Sequence, residues 1–146
     1  GKTADGSSKS IFGATHDLLD LPMLSVPTML EALERRFKKE YIYSYIGDVV
    51  VSVNPFKDVG ACNAAIMSRY VDITDRRLLP PHIYEMGART YARARVADES
   101  EHEKQSVIIS GESGAGKTEA VKIFLEFLVA LADRAHRGGP AGSPTV

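Results

Sequence analysis

The chain has 146 residues, of which 44% are hydrophobic and 25% are charged. These fractions are close to those of ordinary globular domains and argue against a disordered or fibrous protein. The formal net charge of −1 provides no general attraction to nucleic acid or to an anionic membrane, so a partner has to be recognised through a local site.

The first part of the chain predicts a flexible lead-in followed by an amphipathic helix. Residues 1–15 begin with small and polar residues and are expected to form the lead-in. In residues 26–40 (VPTMLEALERRFKKE), Leu30, Leu33 and Phe37 recur at helical spacing, and lysines near the end suit the negative end of the helix dipole. We expect a helix here that packs this apolar side against a core.

A β-hairpin is predicted next, in the sequence YIYSYIGDVVVSVNPF. Two runs of β-branched and aromatic residues flank Gly47 and Asp48, a pair that is typical of a tight turn. The second strand should end at Asn54 and Pro55, because proline has no amide proton to donate to a β-ladder.

Two helices and a charged connection are predicted after the hairpin. The sequence ACNAAIMSRY (61–70) indicates a short helix, and LLPPHIYEMGARTYARARV (78–96) indicates a second one behind a proline pair. The sequence ADESEHEK (97–104) is typical of a solvated surface connection.

The last part of the chain predicts a strand, a glycine-rich loop and a long helix. The run SVIIS (106–110) indicates a short buried strand, and the helix is expected from Lys117 to about Ala135. Residues 136–146 are rich in Gly, Pro and Ser and predict a flexible tail. The order of helices and strands indicates an α/β layered arrangement. The helix side expected to face the core consists of Val121, Phe124, Leu125, Leu128 and Leu131.

The loop between the last strand and the last helix satisfies the pattern G-x-x-x-x-G-K-[ST] in full. Its glycines let main-chain amides approach phosphate oxygens, and the helix that follows directs the positive end of its dipole at the same anion. Lys117 is expected to reach the β- and γ-phosphates of a nucleotide, and the Thr118 hydroxyl to bind Mg²⁺. Phosphate binding is favoured over a glycine turn that binds nothing. The predicted site is Gly111, Glu112, Ser113, Gly114, Ala115, Gly116, Lys117 and Thr118.

No complete catalytic set can be assigned within the chain. Phosphoryl transfer at such a loop also needs an acidic residue at a strand end to hold the Mg²⁺ shell, and a group that orients the attacking water. The run VVVSV ends at Asn54 rather than at an acid, and Asp17 and Asp20 follow no strand-like run. We therefore expect nucleotide binding without hydrolysis by these residues.

Other candidate groups give weak signals. The single cysteine, Cys62, cannot form an internal disulfide and has no sequence neighbour that marks it as a nucleophile. No apolar run reaches the roughly 20 residues of a membrane-spanning helix. The histidines, which lack the spacing of a metal site, are His16, His82, His102 and His136.

Several motifs together resemble the motor domain of myosin. The sequence QSVIISGESGAGKTE (105–119) resembles the P-loop of that family, and IYSYIGDVVVSVNPFK (42–57) is similar to its strand pair and purine-side loop. Shorter motifs recur in the same order, and the resemblance covers about residues 16–135. These shorter motifs are DLLDLP (17–22), LERRF (33–37) and PPHIY (80–84).

The resemblance implies an actin-based cytoskeletal motor that binds ATP with Mg²⁺ and couples hydrolysis to movement along actin filaments. It implies that residues 111–118 wrap the phosphates and that Asn54, Pro55 and Lys57 lie by the adenine. It also implies a P-loop NTPase-type α/β fold, of which this chain supplies an incomplete central sheet with flanking helices. The implied location is the cytoplasm, in a myosin complex, without a membrane segment and without nucleic acid as a partner.

Three positions depart from the family pattern. Cys62 stands where the family commonly has a tyrosine beside the base, Ala120 where an asparagine is usual, and Lys104 where a small polar residue is usual. These departures imply altered base contacts and an intact phosphate loop.

The resemblance also sets the expected domain organisation. In the family, the switch segments, the actin-binding cleft, the converter and the lever helix follow this region. Residues 16–135 are therefore expected to be the N-terminal part of a motor domain, and residues 136–146 a variable surface loop. Actin would be bound by regions of the motor outside this chain.

Two alternatives stay open. A small independent P-loop kinase or NTPase would need a Mg²⁺-holding acid and a second substrate pocket, and neither is visible in the sequence. A non-catalytic nucleotide-binding or interaction module would need only the phosphate loop, which the sequence has.

Overall fold

Four α-helices, one two-stranded sheet and one 3₁₀ turn form the regular structure of residues 16–71, 78–96 and 104–137, which are the residues described by the computed structural model. This mixture of helices with a small sheet agrees with the α/β class. The predicted lead-in (1–15), most of the predicted tail and nearly all of the predicted charged connection lie outside the described residues. In chain order the elements are the turn Leu18–Asp20, α1 (Val26–Phe37), β1 (Tyr43–Ile46), β2 (Val49–Ser52), α2 (Ala64–Tyr70), α3 (Ile83–Val96) and α4 (Lys117–Arg137).

The described residues divide into two compact units. Residues 16–59 together with 80–82 form the first unit. Residues 60–71, 78–79, 83–96 and 104–137 form the second unit. None of the helices in this described part of the chain has the length and apolar character needed to span a membrane.

Local hydrogen bonds set both ends of α1, the helix of the first unit. Ser25 caps the start, and it exchanges side-chain and main-chain hydrogen bonds with Thr28 in a capping box. The helix ends at Phe37, three residues before the predicted end. There the chain turns through Glu40 in the left-handed region, at φ 62°, with Tyr41 N donating to Arg36 O at 3.0 Å and Glu40 N to Phe37 O at 2.8 Å. This is the Schellman arrangement, which stops a helix by satisfying its last carbonyl groups.

The prediction that one apolar side of α1 faces a core is wrong for two of its three residues. Leu30 is 60% exposed and Phe37 is also exposed, whereas Ala32 and Arg36 are buried. The buried side is set by a polar contact, since the Arg36 guanidinium donates to Tyr43 O at 2.7 Å. A helical repeat in the sequence identifies an apolar stripe but not the neighbour that covers it.

The predicted hairpin is confirmed. Strands β1 and β2 pair antiparallel around a two-residue turn at Gly47 and Asp48, with Ile46 opposite Val49 and Tyr43 opposite Ser52. The chain before α1 also joins this hairpin, because Tyr45 N donates to the main-chain oxygen of residue 16 at 2.9 Å. The Asp17 carboxylate accepts from Gly47 N at 3.1 Å and so fixes the turn.

Aromatic side chains form the core of the second unit. The Phe127 side chain of α4 is fully buried and stacks on Tyr84 of α3 with ring centroids 4.8 Å apart. Tyr84 also meets Tyr70 of α2 edge to face at 6.0 Å. Gly87 allows this close approach of α3 and α4, because a Cβ atom placed on it would lie 2.6 Å from Phe127 Cδ1.

The core-facing side predicted for α4 is partly correct. Phe124 and Leu131 are buried as expected, but Leu125 is 53% exposed and Val121 is also exposed. Phe127, which is not among the predicted core-facing residues, is buried instead. The buried residues of α4 are 124, 127 and 131, and of these Phe127 lies against Gly87 of α3. The helix itself continues to Arg137, two residues past the predicted end.

The prediction of a buried strand at 106–110 is wrong. These residues are not in a strand, and Ile108 is 90% exposed. Exposed and half-buried side chains alternate along 104–110, as they would in a strand. A strand exists only where a partner completes its ladder, and β1 and β2 are the sole paired strands among the residues the structure describes.

The stability of the chain is expected to fall as the pH rises from about 10 to about 12. Burial raises the pKa of both Tyr70 and Tyr84 to about 12, and the thiol of Cys62 adds to the rise at Tyr84. The unfolded chain loses these protons near pH 10, so the stabilisation is complete below that pH and is lost as the pH approaches 12. Urea unfolding at about pH 9 and about pH 11 measures the slope. Tyr84→Phe keeps the ring and should flatten the slope, and an unchanged slope would refute this assignment.

Candidate nucleotide-binding loop

The predicted phosphate loop is an exposed turn between residue 110 and the start of α4. Residues 111–115 are exposed to solvent, and α4 begins at Lys117, within the predicted motif. Gly114 and Gly116 adopt φ values of 81° and 91°, which other residues rarely adopt. A Cβ atom on Gly114 would meet no atom within 4 Å, so the space beside this residue is open. At Gly114 the main chain of the loop is therefore open to solvent.

The loop folds back on itself. Ala115 N donates to Glu112 O at 3.2 Å, and a Cβ atom on Gly111 would lie 3.0 Å from the Ala115 Cβ. The Lys117 ammonium donates to Gly111 O at 2.6 Å and to Glu112 O at 2.7 Å. The lysine that the motif assigns to phosphate thus lies directly at the loop.

The first turn of α4 supplies the other polar groups. The earliest main-chain amides of a helix have no partner within the helix and carry the positive end of its dipole, an arrangement that suits an anion. Thr118 is exposed in this turn. Glu119 is exposed and pairs with Lys122 at 3.5 Å, one turn further along.

The residues predicted to lie by the adenine belong to the first unit, whereas the phosphate loop belongs to the second. The Asn54 side-chain oxygen accepts from Phe56 N at 2.9 Å. Phe56 itself is 84% exposed and has a φ of 51°. Lys57 pairs with Glu40 at 2.6 Å, and Pro55 is half-buried. It stays a prediction that the nucleotide bound by the loop is also bordered by Asn54, Pro55 and Lys57.

Two features of this region were not predicted from the sequence. Glu40 and Lys57 are 17 positions apart, and no sequence pattern connects them. The contacts between Lys117 and the two carbonyl groups also have no sequence signal, because a motif specifies residue types and not main-chain acceptors. Cys62, which the sequence does not mark as a nucleophile, is half-buried and lies near Tyr84, whose pKa its thiol helps to raise.

The side chains of the described residues include no group of three or more His, Cys, Asp or Glu that could hold a metal ion. That Thr118 contributes to a Mg²⁺ site, as the motif indicates, stays a prediction. A Mg²⁺ ion held in this way would depend on oxygens of the nucleotide for much of its coordination.

Comparison with known proteins extends the sequence resemblance. The family model described as "Myosin head (motor domain)" matches residues 15–141. Myosin-M heavy chain of Dictyostelium discoideum is 42% identical over 114 residues, which cover 77% of this chain and 6% of that protein. Myosin-5 of Candida glabrata is 41% identical over 129 residues, covering 88% of this chain and 10% of that protein.

A vertebrate relative shows the same relation. Unconventional myosin-Ic of Bos taurus is 41% identical over 115 residues, which cover 79% of this chain and 10% of that protein. The chain thus spans between 6% and 10% of the length of these curated relatives.

Proposed function

The chain belongs to the myosin head (motor domain) family, and on that premise we propose that it forms the ATP-binding portion of an actin-based motor. The whole motor would couple hydrolysis of Mg-ATP to movement on actin filaments in the cytoplasm. The observation that carries the proposal is the exposed main-chain loop of residues 111–116, which ends at Lys117 and at the first turn of α4.

The geometry of this loop fits a polyphosphate. The open space beside Gly114 gives an anion access to the main chain. The Lys117 ammonium lies within 2.7 Å of two loop carbonyls, so its charge is already beside the place where the phosphates would bind. Together these groups can bind phosphate oxygens through charge-assisted hydrogen bonds, which are the stronger class.

Each of the remaining residues has a proposed part. Mg²⁺ bound with ATP would neutralise charge on the β- and γ-phosphates, and the Thr118 hydroxyl is the group of the loop that would hold it. Asn54, Pro55 and Lys57 would border the adenine. The full motor would have the P-loop NTPase-type layered fold, with this chain supplying part of the central sheet and flanking helices.

Nucleotide binding by the 146-residue chain tests the proposal. ATP and ADP are expected to bind at least about ten-fold more tightly than AMP, because one charge-assisted hydrogen bond contributes about 1.5–3 kcal/mol and AMP has a single phosphate. Isothermal titration with each nucleotide, with and without Mg²⁺, measures this order. Equal affinity for AMP and ATP, or no binding of either nucleotide, would contradict the proposal.

Phosphate release in the same samples separates binding from hydrolysis. We expect negligible steady release of phosphate. The sequence offers neither an acidic residue at a strand end that would complete a Mg²⁺ site nor a group that would orient the attacking water. Steady phosphate release at the rate of an intact motor would refute the claim that the catalytic set is incomplete. It would not contradict the proposed binding site.

A further inference from the structure

Residues 105–110 (QSVIIS), called the unpaired segment below, have the side-chain pattern of a β-strand but no partner strand among the residues that the structure describes. Exposed and half-buried side chains alternate along the segment, and Ile108 is 90% exposed. No hydrogen bond joins its main-chain groups to another described residue. Its amide and carbonyl groups can therefore pair with a further strand.

The composition of the unpaired segment also favours pairing with another strand. It contains Val107, Ile108 and Ile109, which are β-branched, and it contains no charged residue, proline or glycine. Natural edge strands are protected from pairing between chains by charges, by proline or by bulges. Uncharged six-residue segments of high β-propensity are, by contrast, typical of strands that pair between chains. The segment thus has the pairing groups of a strand edge and none of the residue types that protect one.

Two charged residues flank the unpaired segment at equal distances from Ile108. Lys104 stands four positions before Ile108, and Glu112 stands four positions after it. Both side chains are exposed, and neither forms an ion pair with another described residue. If two copies pair antiparallel with Ile108 opposite Ile108, Lys104 of each copy faces Glu112 of the other. A parallel pairing in register would place like charges opposite each other, which is unfavourable. Charge complementarity therefore favours an antiparallel pair of identical copies.

We propose that the 146-residue chain self-associates by antiparallel pairing of the unpaired segment with the same segment of a second copy, with Ile108 opposite Ile108. This pairing gives the main-chain groups of both segments hydrogen-bond partners. Directly opposed residues lie on the same face of a two-stranded sheet, so the exposed sides of the two segments coincide. On the other face, Val107 of each copy lies opposite Ile109 of the other. The proposal does not depend on nucleotide binding.

Sedimentation equilibrium of the 146-residue chain tests the self-association. Because a pair of six-residue strands is a small interface, we expect weak association, with a dissociation constant between about 10 μM and about 1 mM. Ile108→Lys places two ammonium groups opposite each other and should raise this constant at least about ten-fold. Ile108 is 90% exposed, so the substitution should leave the fold of the monomer unchanged.

Leu125→Lys is the matched control, because it adds the same charge at an exposed apolar residue of α4. Its dissociation constant should stay within about two-fold of that of the unmodified chain, as for most surface substitutions. If Leu125→Lys abolishes the association and Ile108→Lys does not, the copies meet through the exposed side of α4, and the proposal is wrong.

Charge reversal tests the direction of the pairing. Lys104→Glu places two carboxylates opposite each other at both ends of the strand pair and should raise the dissociation constant about ten-fold. Adding Glu112→Lys to this variant restores opposite charges and should return the constant to within about three-fold of the original value. A double variant that associates no better than Lys104→Glu alone would overturn the antiparallel register.

Disulfide crosslinking tests the register itself. In a Cys62→Ser background, Ile108→Cys places two thiols opposite each other, and oxidised glutathione should link them into a dimer. Ser106→Cys and Ser110→Cys should each crosslink slowly when alone and readily when the two variants are mixed, since residue 106 of one copy faces residue 110 of the other. Equal crosslinking at all three positions would contradict the register.

Hydrogen exchange distinguishes a second copy from another part of the same chain. We expect the amides of residues 106–110 to be protected at high concentration and to exchange rapidly on dilution. A chain that stays monomeric throughout the concentration series overturns the proposal. Protection of these amides in such a monomer would assign the edge to another segment of the same chain. If assemblies larger than a dimer form, their persistence in Ile108→Lys likewise overturns the proposal.

Discussion

Replacing Lys117 with alanine is expected to weaken ATP binding by about ten-fold to a hundred-fold. A hydrogen bond to a charged group contributes about 1.5–3 kcal/mol, and each 1.4 kcal/mol corresponds to about a factor of ten in affinity. The ammonium lies at the loop, within 2.7 Å of the carbonyls of Gly111 and Glu112, and no other lysine or arginine lies in residues 111–118. Titration of a fluorescent ATP analogue against both proteins measures the change.

Lys122→Ala is the matched control for this experiment. Lys122 is on the same helix, and its loss changes the net charge by the same amount. Its side chain is exposed and pairs with Glu119 at 3.5 Å, an interaction of small energy on a solvated surface. We expect its affinity for ATP to stay within about two-fold of the unmodified chain. An equal loss in both variants would mean that general charge, and not the position of Lys117, governs binding.

Replacing Phe127 with alanine is expected to lower the free energy of unfolding by about 3–5 kcal/mol. The Phe127 side chain is fully buried, stacks on Tyr84 at 4.8 Å and lies against Gly87. Removing the ring takes away this apolar contact and leaves a cavity between α3 and α4. Urea unfolding, followed by far-ultraviolet circular dichroism, measures the loss, which is a large fraction of the stability of an ordinary domain.

Leu125→Ala provides the comparison for the packing prediction. Leu125 is two positions away on α4 and is 53% exposed, so its truncation creates no enclosed cavity. We expect a change of about 0.5 kcal/mol or less, as for most surface substitutions. If Leu125→Ala destabilised the chain as much as Phe127→Ala, the assignment of the core face of α4 would be wrong.

The elements that the sequence predicted correctly are those with local signals. The hairpin turn could be predicted because Gly47 and Asp48 favour a tight turn. The start of α4 could be predicted because the glycine-rich loop precedes it. The start of α1 was predicted at Val26, next to a Ser25 cap that satisfies the first amides. Such features are determined by residues that are close together in the sequence, so the sequence alone is enough to predict them.

The predictions that failed depend on distant neighbours. Residues 106–110 have the composition of a strand, but a strand also needs a partner to complete its hydrogen bonds. Leu125 and Phe127 are both apolar residues of α4, but Phe127 is the one that is buried, against Gly87 of another helix. The burial of Arg36 beside the Tyr43 carbonyl also has no local signal.

The candidate site divides in the same way. The residue types of the phosphate loop were predicted in full, because the pattern from Gly111 to Thr118 is contiguous. The bond from Lys117 to the loop carbonyls was not, because it depends on how the main chain folds back. The pairing of Lys57 with Glu40 joins the segment after β2 to the segment after α1, which are distant in the sequence.

Amide chemical shifts of the nitrogen-15-labelled chain during a titration with Mg-ATP test the central claim most directly, since the claim concerns main-chain groups. We predict that the largest shifts occur at Gly114, Gly116, Lys117 and Thr118, whose amides would contact the phosphates. Saturable binding with shifts elsewhere, and with these four amides unchanged, would contradict the claim that this loop binds the polyphosphate.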